Sequence, residues 1–127
     1  MRLCIEVSPG EAIDKLTILA IKEDRLTEGE RVAHVRREAA ALIQTVDPLL
    51  QAKPALLSIT QSLREVNERL WEIEDALRLH EQRGEFGPSF IELARDVYCT
   101  NDRRAALKAE INALLGTDIA EQKSYAA

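Results

Sequence analysis

Four polar residues in the C-terminal third of the chain could bind an anion. They are Asn101, Arg104, Lys108 and Asn112. Successive members are three or four residues apart, so an α-helix would present all of them on one face. A guanidinium donates a fork of hydrogen bonds to carboxylate or phosphate oxygens, and an ammonium adds a point charge. The spacing predicts a polar cavity for a small acidic or phosphorylated ligand, with Arg104 and Lys108 as its cationic groups.

The same four residues have a purely structural alternative. In a continuous helix they share the stripe that begins at Phe90, so they would point toward the core, where buried cations need anionic partners. A break at Thr100 to Asp102 would instead start a new helix and leave Arg104 and Lys108 in solvent. The sequence alone is compatible with both arrangements.

A second candidate anion site lies at the first helix start. Ser8 precedes Pro9, Gly10 and Glu11, a pattern in which the serine caps the helix and the glutamate completes a capping box. Free amides near Ser8 and Gly10, helped by the helix dipole and by Lys15, could hold an anion. The alternative is an ordinary capping box.

A row of carboxylates offers a third candidate site. Its members are Glu65, Glu68, Glu72 and Asp75. The ExxE and ExxD spacing is the one by which helical nucleotide pyrophosphohydrolases bind magnesium, and Mg²⁺ is the only cofactor that the sequence suggests. The row also lies opposite the hydrophobic face of its helix, where a solvated surface with neighbouring arginines is normal. No other metal site is predicted.

The remaining chemically versatile residues are isolated in the sequence. His34 and His80 have no nucleophile pattern beside them, and Cys4 and Cys99 lack metal-ligand spacing. The cysteines are therefore expected to be free thiols, buried as small hydrophobes. Trp71 either packs under the connector between the second and third helices or marks an exposed contact patch.

Hydrophobic periodicity predicts an all-α fold, an antiparallel bundle of about four main helices after a short extended lead-in at Leu3 to Val7. The first helix has apolar residues over more than half its circumference, so we expect it to be central. The predicted segments are Pro9 to about Leu26, the Thr27 capping pattern to Pro48, Leu56 to Gly84, and Ser89 to Gly116, with one turn and a tail over Thr117 to Tyr125.

The third helix carries a strict heptad seam, which we define as Leu56, Ile59, Leu63, Val66, Leu70, Ile73 and Leu77. Such a seam needs a partner helix. Either the second helix folds back antiparallel onto it, or a second copy of the chain supplies the partner in a homodimer.

Length and composition bound the class of protein. The chain has 127 residues, of which 46% are hydrophobic and 31% charged, and its net charge is −5. These values predict one soluble cytoplasmic domain over residues 1–127. Basic residues alternate with acidic ones, so nucleic-acid binding is not expected. Met1 to Val7 does not form a secretory signal, and Leu16 to Ile21 is too short to cross a membrane.

Several strings resemble a family of small bacterial proteins described only as a domain of unknown function. They are Ser8 to Glu11, Ile13 to Leu19, Ile21 and Lys22, Asn67 to Asp75, Asn101 to Gly116 and Glu121 to Tyr125. The family is associated with glycosyltransferase and surface-polysaccharide genes. The resemblance implies an accessory role in cell-envelope glycan biosynthesis and assigns no catalytic residue.

Two functional hypotheses follow. The first is a binding or interaction module without enzymatic activity that associates with itself or with a protein partner. The second is a small enzyme or sensor for a phosphorylated or carboxylated metabolite. The first helix, with Ile13, Asp14 and Lys15, is also similar to that of the helical chorismate mutases, which implies a carboxylated substrate for the enzyme version.

Overall fold

Four α-helices make up the regular structure of residues 1–116, the part of the chain that the computed structural model describes. They are α1 (Pro9–Arg25), α2 (Gly29–Ala52), α3 (Ala55–Arg83) and α4 (Pro88–Leu115). Residues 1–8 form no helix or strand, so the all-α prediction with its short lead-in is confirmed. The prediction for Thr117 to Tyr125 lies outside the described residues.

Helix α1 is the centre of the bundle, as its wide apolar surface predicted. It packs against each of the other three helices. The completely buried cluster draws on all four helices and consists of Ile13, Val46, Leu56, Leu63 and Ile111. A helix surrounded in this way can bury a polar group on one side while its other sides make apolar contacts.

The heptad seam of α3 is covered within one chain, but not by α2. Helix α3 packs mainly against α4 and also against α1, and its Leu56, Leu63 and Ile73 are fully buried there. The two helices run antiparallel, because His80 contacts Phe90 at one end and Lys53, just before α3, reaches the Leu114 carbonyl at the other. The expectation of α2 as the seam partner was wrong. Self-association stays a prediction.

Three predicted helix ends differ from the structure. The N-cap of α2 is Glu28, which makes no side-chain cap hydrogen bond, so the predicted capping pattern at Thr27 was wrong. Pro48 lies inside α2, which continues to Ala52. A proline there loses one backbone hydrogen bond, but Leu50, in the extra turn, packs against the buried cluster and offsets that loss. At α4 the N-cap is Gly87 with Pro88 in the first turn, so Ser89 is not the cap. The predicted ends at Gly84 and Gly116 are confirmed, both with the positive φ that favours glycine.

Candidate functional site

Helix α4 is continuous, and this decides the environment of its polar stripe. No break occurs at Thr100 to Asp102, so the solvated alternative was wrong. Thr100, Lys108 and Asn112 are buried, and Arg104 keeps only 28% of its side chain exposed. The stripe therefore faces the neighbouring helices and must find polar partners there.

Asp14 of α1 is the partner of Arg104. The Asp14 side chain is only 4% exposed, and Arg104 donates to it through both Nε, at 2.9 Å from Oδ1, and Nη2, to Oδ2. Asn67 Nδ2 lies 2.9 Å from Asp14 Oδ1 and 2.8 Å from Thr17 Oγ1. Thr17 Oγ1 in turn donates to the Asp14 carbonyl at 2.7 Å. We call these four residues the inner polar cluster. Its bidentate, charge-assisted geometry compensates for the desolvation of a buried carboxylate.

The start of α1 docks on the last turns of α4. The Gly10 amide donates to Asn112 Oδ1 at 2.8 Å, and the Glu11 amide donates to Ser8 Oγ at 3.2 Å. Glu11 Oε1 lies 2.5 Å from Lys108 Nζ instead of closing the capping box. A Cβ on Gly10 would come within 2.6 Å of the Lys108 carbonyl, so only glycine fits here. These protein contacts use the groups that the sequence suggested for an anion.

The predicted ligand residues do not all come together. Ser8, Gly10, Lys108 and Asn112 meet at the α1 start, Arg104 belongs to the inner polar cluster, and Asn101 is half-buried on α4. Lys15 points elsewhere, with its Nζ 3.0 Å from Glu38 Oε1 of α2. The hydrogen bond from Lys15 lowers the pKa of Glu38. The proposed binding of an anion by these residues stays a prediction.

The partners of the α4 stripe were not among the predicted site residues. Asp14 and Thr17 follow Gly10 at helical steps of four and three, so α1 carries a polar stripe matching that of α4. Asn67 sits directly after Val66 of the heptad seam, where an amide is unusual. Both signals are present in the sequence, but neither identifies which distant residue each polar group would meet.

An open groove lies beside Trp71, between the α1–α2 junction and α3. It consists of two adjoining cavities of about 490 and 540 Å³, both lined by Leu26, Arg31 and Trp71. The larger cavity reaches Asn67 and Arg104 of the inner polar cluster. We call the two cavities together the Trp71 groove. Trp71 is half-buried in it, so the predicted position under the connector was wrong.

The Trp71 groove is more basic than the protein as a whole. Its cationic residues are Lys22, Arg31, Arg37, Arg78 and Arg104, and its carboxylates are Glu30, Glu74 and Asp75. Asp14 neutralises Arg104, so the other four cations exceed the three carboxylates by one, whereas the chain carries a net charge of −5. Ile18, Ile21 and Leu70 supply apolar wall. The groove thus combines positive charge with an apolar surface, and His34 also lines it.

Comparison with known proteins gives the family. Residues 3–127 match the model of a family of unknown function, DUF6165. The chain belongs to this family. The resemblance to a domain of unknown function is confirmed, while the bacterial origin and the link to surface-polysaccharide genes stay predictions. No curated protein and no solved structure matches the chain.

The carboxylate row of this DUF6165 member faces cations and solvent. Glu68 Oε1 lies 2.9 Å from Arg64 Nε, and Glu72 Oε1 lies 3.6 Å from Arg25 Nη2. Glu65 accepts from Gln61 at 3.3 Å, and Asp75 lines the Trp71 groove. Within residues 1–116, no three histidine, cysteine or acidic side chains converge as a metal site would require.

Two further observations concern the surface. Cys4 and Cys99 are free, as predicted, but both are exposed, so their expected burial was wrong. Cys4 belongs to the lead-in, which no helix covers, and Cys99 lies on the outer side of α4. None of the four helices combines the length and the apolar character needed to cross a membrane.

Proposed function

We propose that this protein is a helical binding module that takes a small anionic ligand in the Trp71 groove. The observation that carries the proposal is the excess of cationic side chains around an apolar groove in an otherwise acidic protein. Cavities of roughly 300–1,000 Å³ with apolar walls and a few convergent polar groups are typical of small-molecule sites. The proposed protein is thus a binding module whose ligand is an anionic metabolite, which combines features of the two functional hypotheses. The proposed ligand site is the groove and not the α4 stripe.

The cationic residues of the groove would have different roles. Arg31 and Arg78 are exposed and can turn toward a ligand, so we assign the main attraction to them. Arg104 is oriented by Asp14, which also accepts a hydrogen bond from Asn67, and its guanidinium is already ordered on the groove wall. Preordering lowers the entropy cost of binding. Asp14 and Asn67 are thus positioning residues.

Intrinsic fluorescence offers a direct test, because Trp71 is the only tryptophan in the chain and it lines both cavities. The probes are inorganic pyrophosphate and citrate, one phosphorylated and one carboxylated. We expect at least one of them to change Trp71 emission saturably. Arg78→Ala and Arg31→Ala should each weaken that binding about tenfold, because a hydrogen bond to a charged group contributes roughly 1.5–3 kcal/mol.

The matched control is Arg103→Ala, which removes an exposed arginine of α4 that lines neither cavity. It should bind the same probe as the parent protein does. If neither probe binds the parent protein, or if Arg78→Ala and Arg31→Ala bind as tightly as Arg103→Ala, the groove is not an anion site. A role in envelope glycan biosynthesis remains a proposal that rests on the family resemblance alone.

A further inference from the structure

We propose that the ligand of the Trp71 groove is a nucleoside diphosphate, with its base against Trp71 and its diphosphate between the arginines. This inference rests on the proposed function and specifies the ligand class. A simple anion would need only the cations. The groove offers three other features that a simple anion would leave unused: an indole ring, an apolar wall and two carboxylates.

The position of Trp71 favours a planar ligand group. The indole lies where the two cavities adjoin and lines both of them, with Leu26 beside it. The Arg25 guanidinium carbon is 6.0 Å from the ring centroid, a cation–π contact that helps to hold the indole in place. A restrained indole is a suitable platform for a nucleobase, and stacking on it tolerates every base because each base has a π-face.

The charges of the groove favour a ligand with both phosphate and hydroxyl groups. Arg31 is common to the two cavities, and Arg78 and Arg104 line the larger one, so several donors surround the position next to the indole. The forks of Arg31 and Arg78 match phosphate oxygens in geometry, whereas the Nε–Nη2 edge of Arg104 already binds Asp14. Glu74 and Asp75 line the same cavity and would repel a ligand that carried negative charge throughout. They can accept hydrogen bonds from ribose hydroxyls, which places the neutral sugar near them.

Size is consistent with this assignment. The two cavities, of about 490 and 540 Å³, adjoin at Trp71. Each lies within the roughly 300–1,000 Å³ range of drug-sized ligand sites. A base and a diphosphate can therefore occupy the groove on either side of the sugar without opening the helix bundle.

Calorimetric titration separates the parts of the ligand. The probes are ADP, UDP, adenosine and inorganic pyrophosphate. We expect both nucleoside diphosphates to bind at least tenfold more tightly than pyrophosphate or adenosine. Trp71→Leu should lower the ADP affinity by about tenfold, the range expected for loss of one base–aromatic stack, and leave pyrophosphate affinity within about twofold. Trp71→Phe, which keeps a ring, should retain most of the ADP affinity.

The outcomes distinguish this inference from the proposed function. If pyrophosphate binds with the expected dependence on Arg78 but ADP and UDP bind no more tightly, the nucleoside diphosphate assignment is wrong and the anion site stands. If Trp71→Leu and Trp71→Phe both bind ADP as the parent does, the stacking is wrong. If citrate binds but none of these four probes does, the inference fails and the anion site stands, and if citrate fails as well the proposed function fails with it. Circular dichroism verifies that each variant is folded.

Discussion

Asp14 connects three helices through one carboxylate. It accepts from Arg104 of α4 and from Asn67 of α3 while it belongs to α1. At 4% exposure the side chain has almost no contact with water. A buried ion pair gives little net stability over an apolar pair of the same shape, yet removing one partner is costly because the other partner has already been desolvated. Substitution of Asp14 should therefore destabilise the fold more than its position in α1 alone would suggest.

We expect Asp14→Ala to lower the free energy of unfolding by about 3 kcal/mol, near the lower end of the range for broken buried pairs, because Arg104 keeps some solvent contact. Asp14→Asn keeps the shape and one acceptor and should cost less. Denaturant unfolding measures both changes. Asp47→Ala is the control, because Asp47 is exposed on α2 and its substitution should stay within about 0.5 kcal/mol. An Asp14→Ala variant as stable as the control would show that the cluster contributes nothing to the fold.

At the scale of the helices, the close contact between α1 and α4 depends on Gly10. The missing side chain lets the α1 start approach the α4 backbone, and the Gly10 amide then reaches Asn112 Oδ1 at 2.8 Å. Because the atom that a Cβ would meet is a backbone carbonyl, no side-chain rotation can relieve the contact. This contact and the Asp14–Arg104 ion pair join the polar stripes of the two helices.

Gly10→Ala should therefore destabilise the protein by roughly 1–3 kcal/mol, the usual range for overpacking. Gly29→Ala is the matched control, because Gly29, like Gly10, lies in the first turn of a helix. A Cβ added at Gly29 would have no atom within 4 Å. This substitution should be neutral or stabilising by up to about 1 kcal/mol. Thermal unfolding of the two variants compares them directly. Equal melting temperatures would contradict the steric argument.

At the scale of the molecule, the four helices differ in how many neighbours they pack against. Helix α1 packs against three neighbours, whereas α2 packs mainly against α1. Only Val35 and Val46 of α2 are buried, compared with six residues of the shorter α1. Local opening free energies follow buried contacts, so the bundle should open first at α2. One wall of the Trp71 groove, at Arg31, belongs to this helix.

Hydrogen–deuterium exchange measured by mass spectrometry tests whether α2 opens more readily than α1. We expect amides in the middle of α2 to exchange at least about tenfold faster than those in the middle of α1, because fewer buried contacts must be broken to expose them. A ligand in the Trp71 groove would reduce the difference near Arg31. Equal protection of α1 and α2 would mean that the bundle opens only as a whole.

The sequence alone determined the helices and their apolar faces. Caps and hydrophobic spacing act within one or two turns, so Pro9, Gly84 and Gly116 could be assigned as helix ends from their neighbours. The same locality explains why the end of α2 was predicted wrongly. Whether α2 passes Pro48 depended on the burial of Leu50 against other helices, which no local pattern records.

The tertiary structure decided the role of the polar residues. The α4 stripe was visible in the sequence, but Asp14 and Arg104 lie 90 positions apart, and their meeting depends on how α1 crosses α4. The Trp71 groove likewise lies in the space that α1, α2, α3 and Arg104 of α4 leave between them. Periodicity is a property of each helix alone, whereas ion pairs and cavities are properties of the relative positions of several helices.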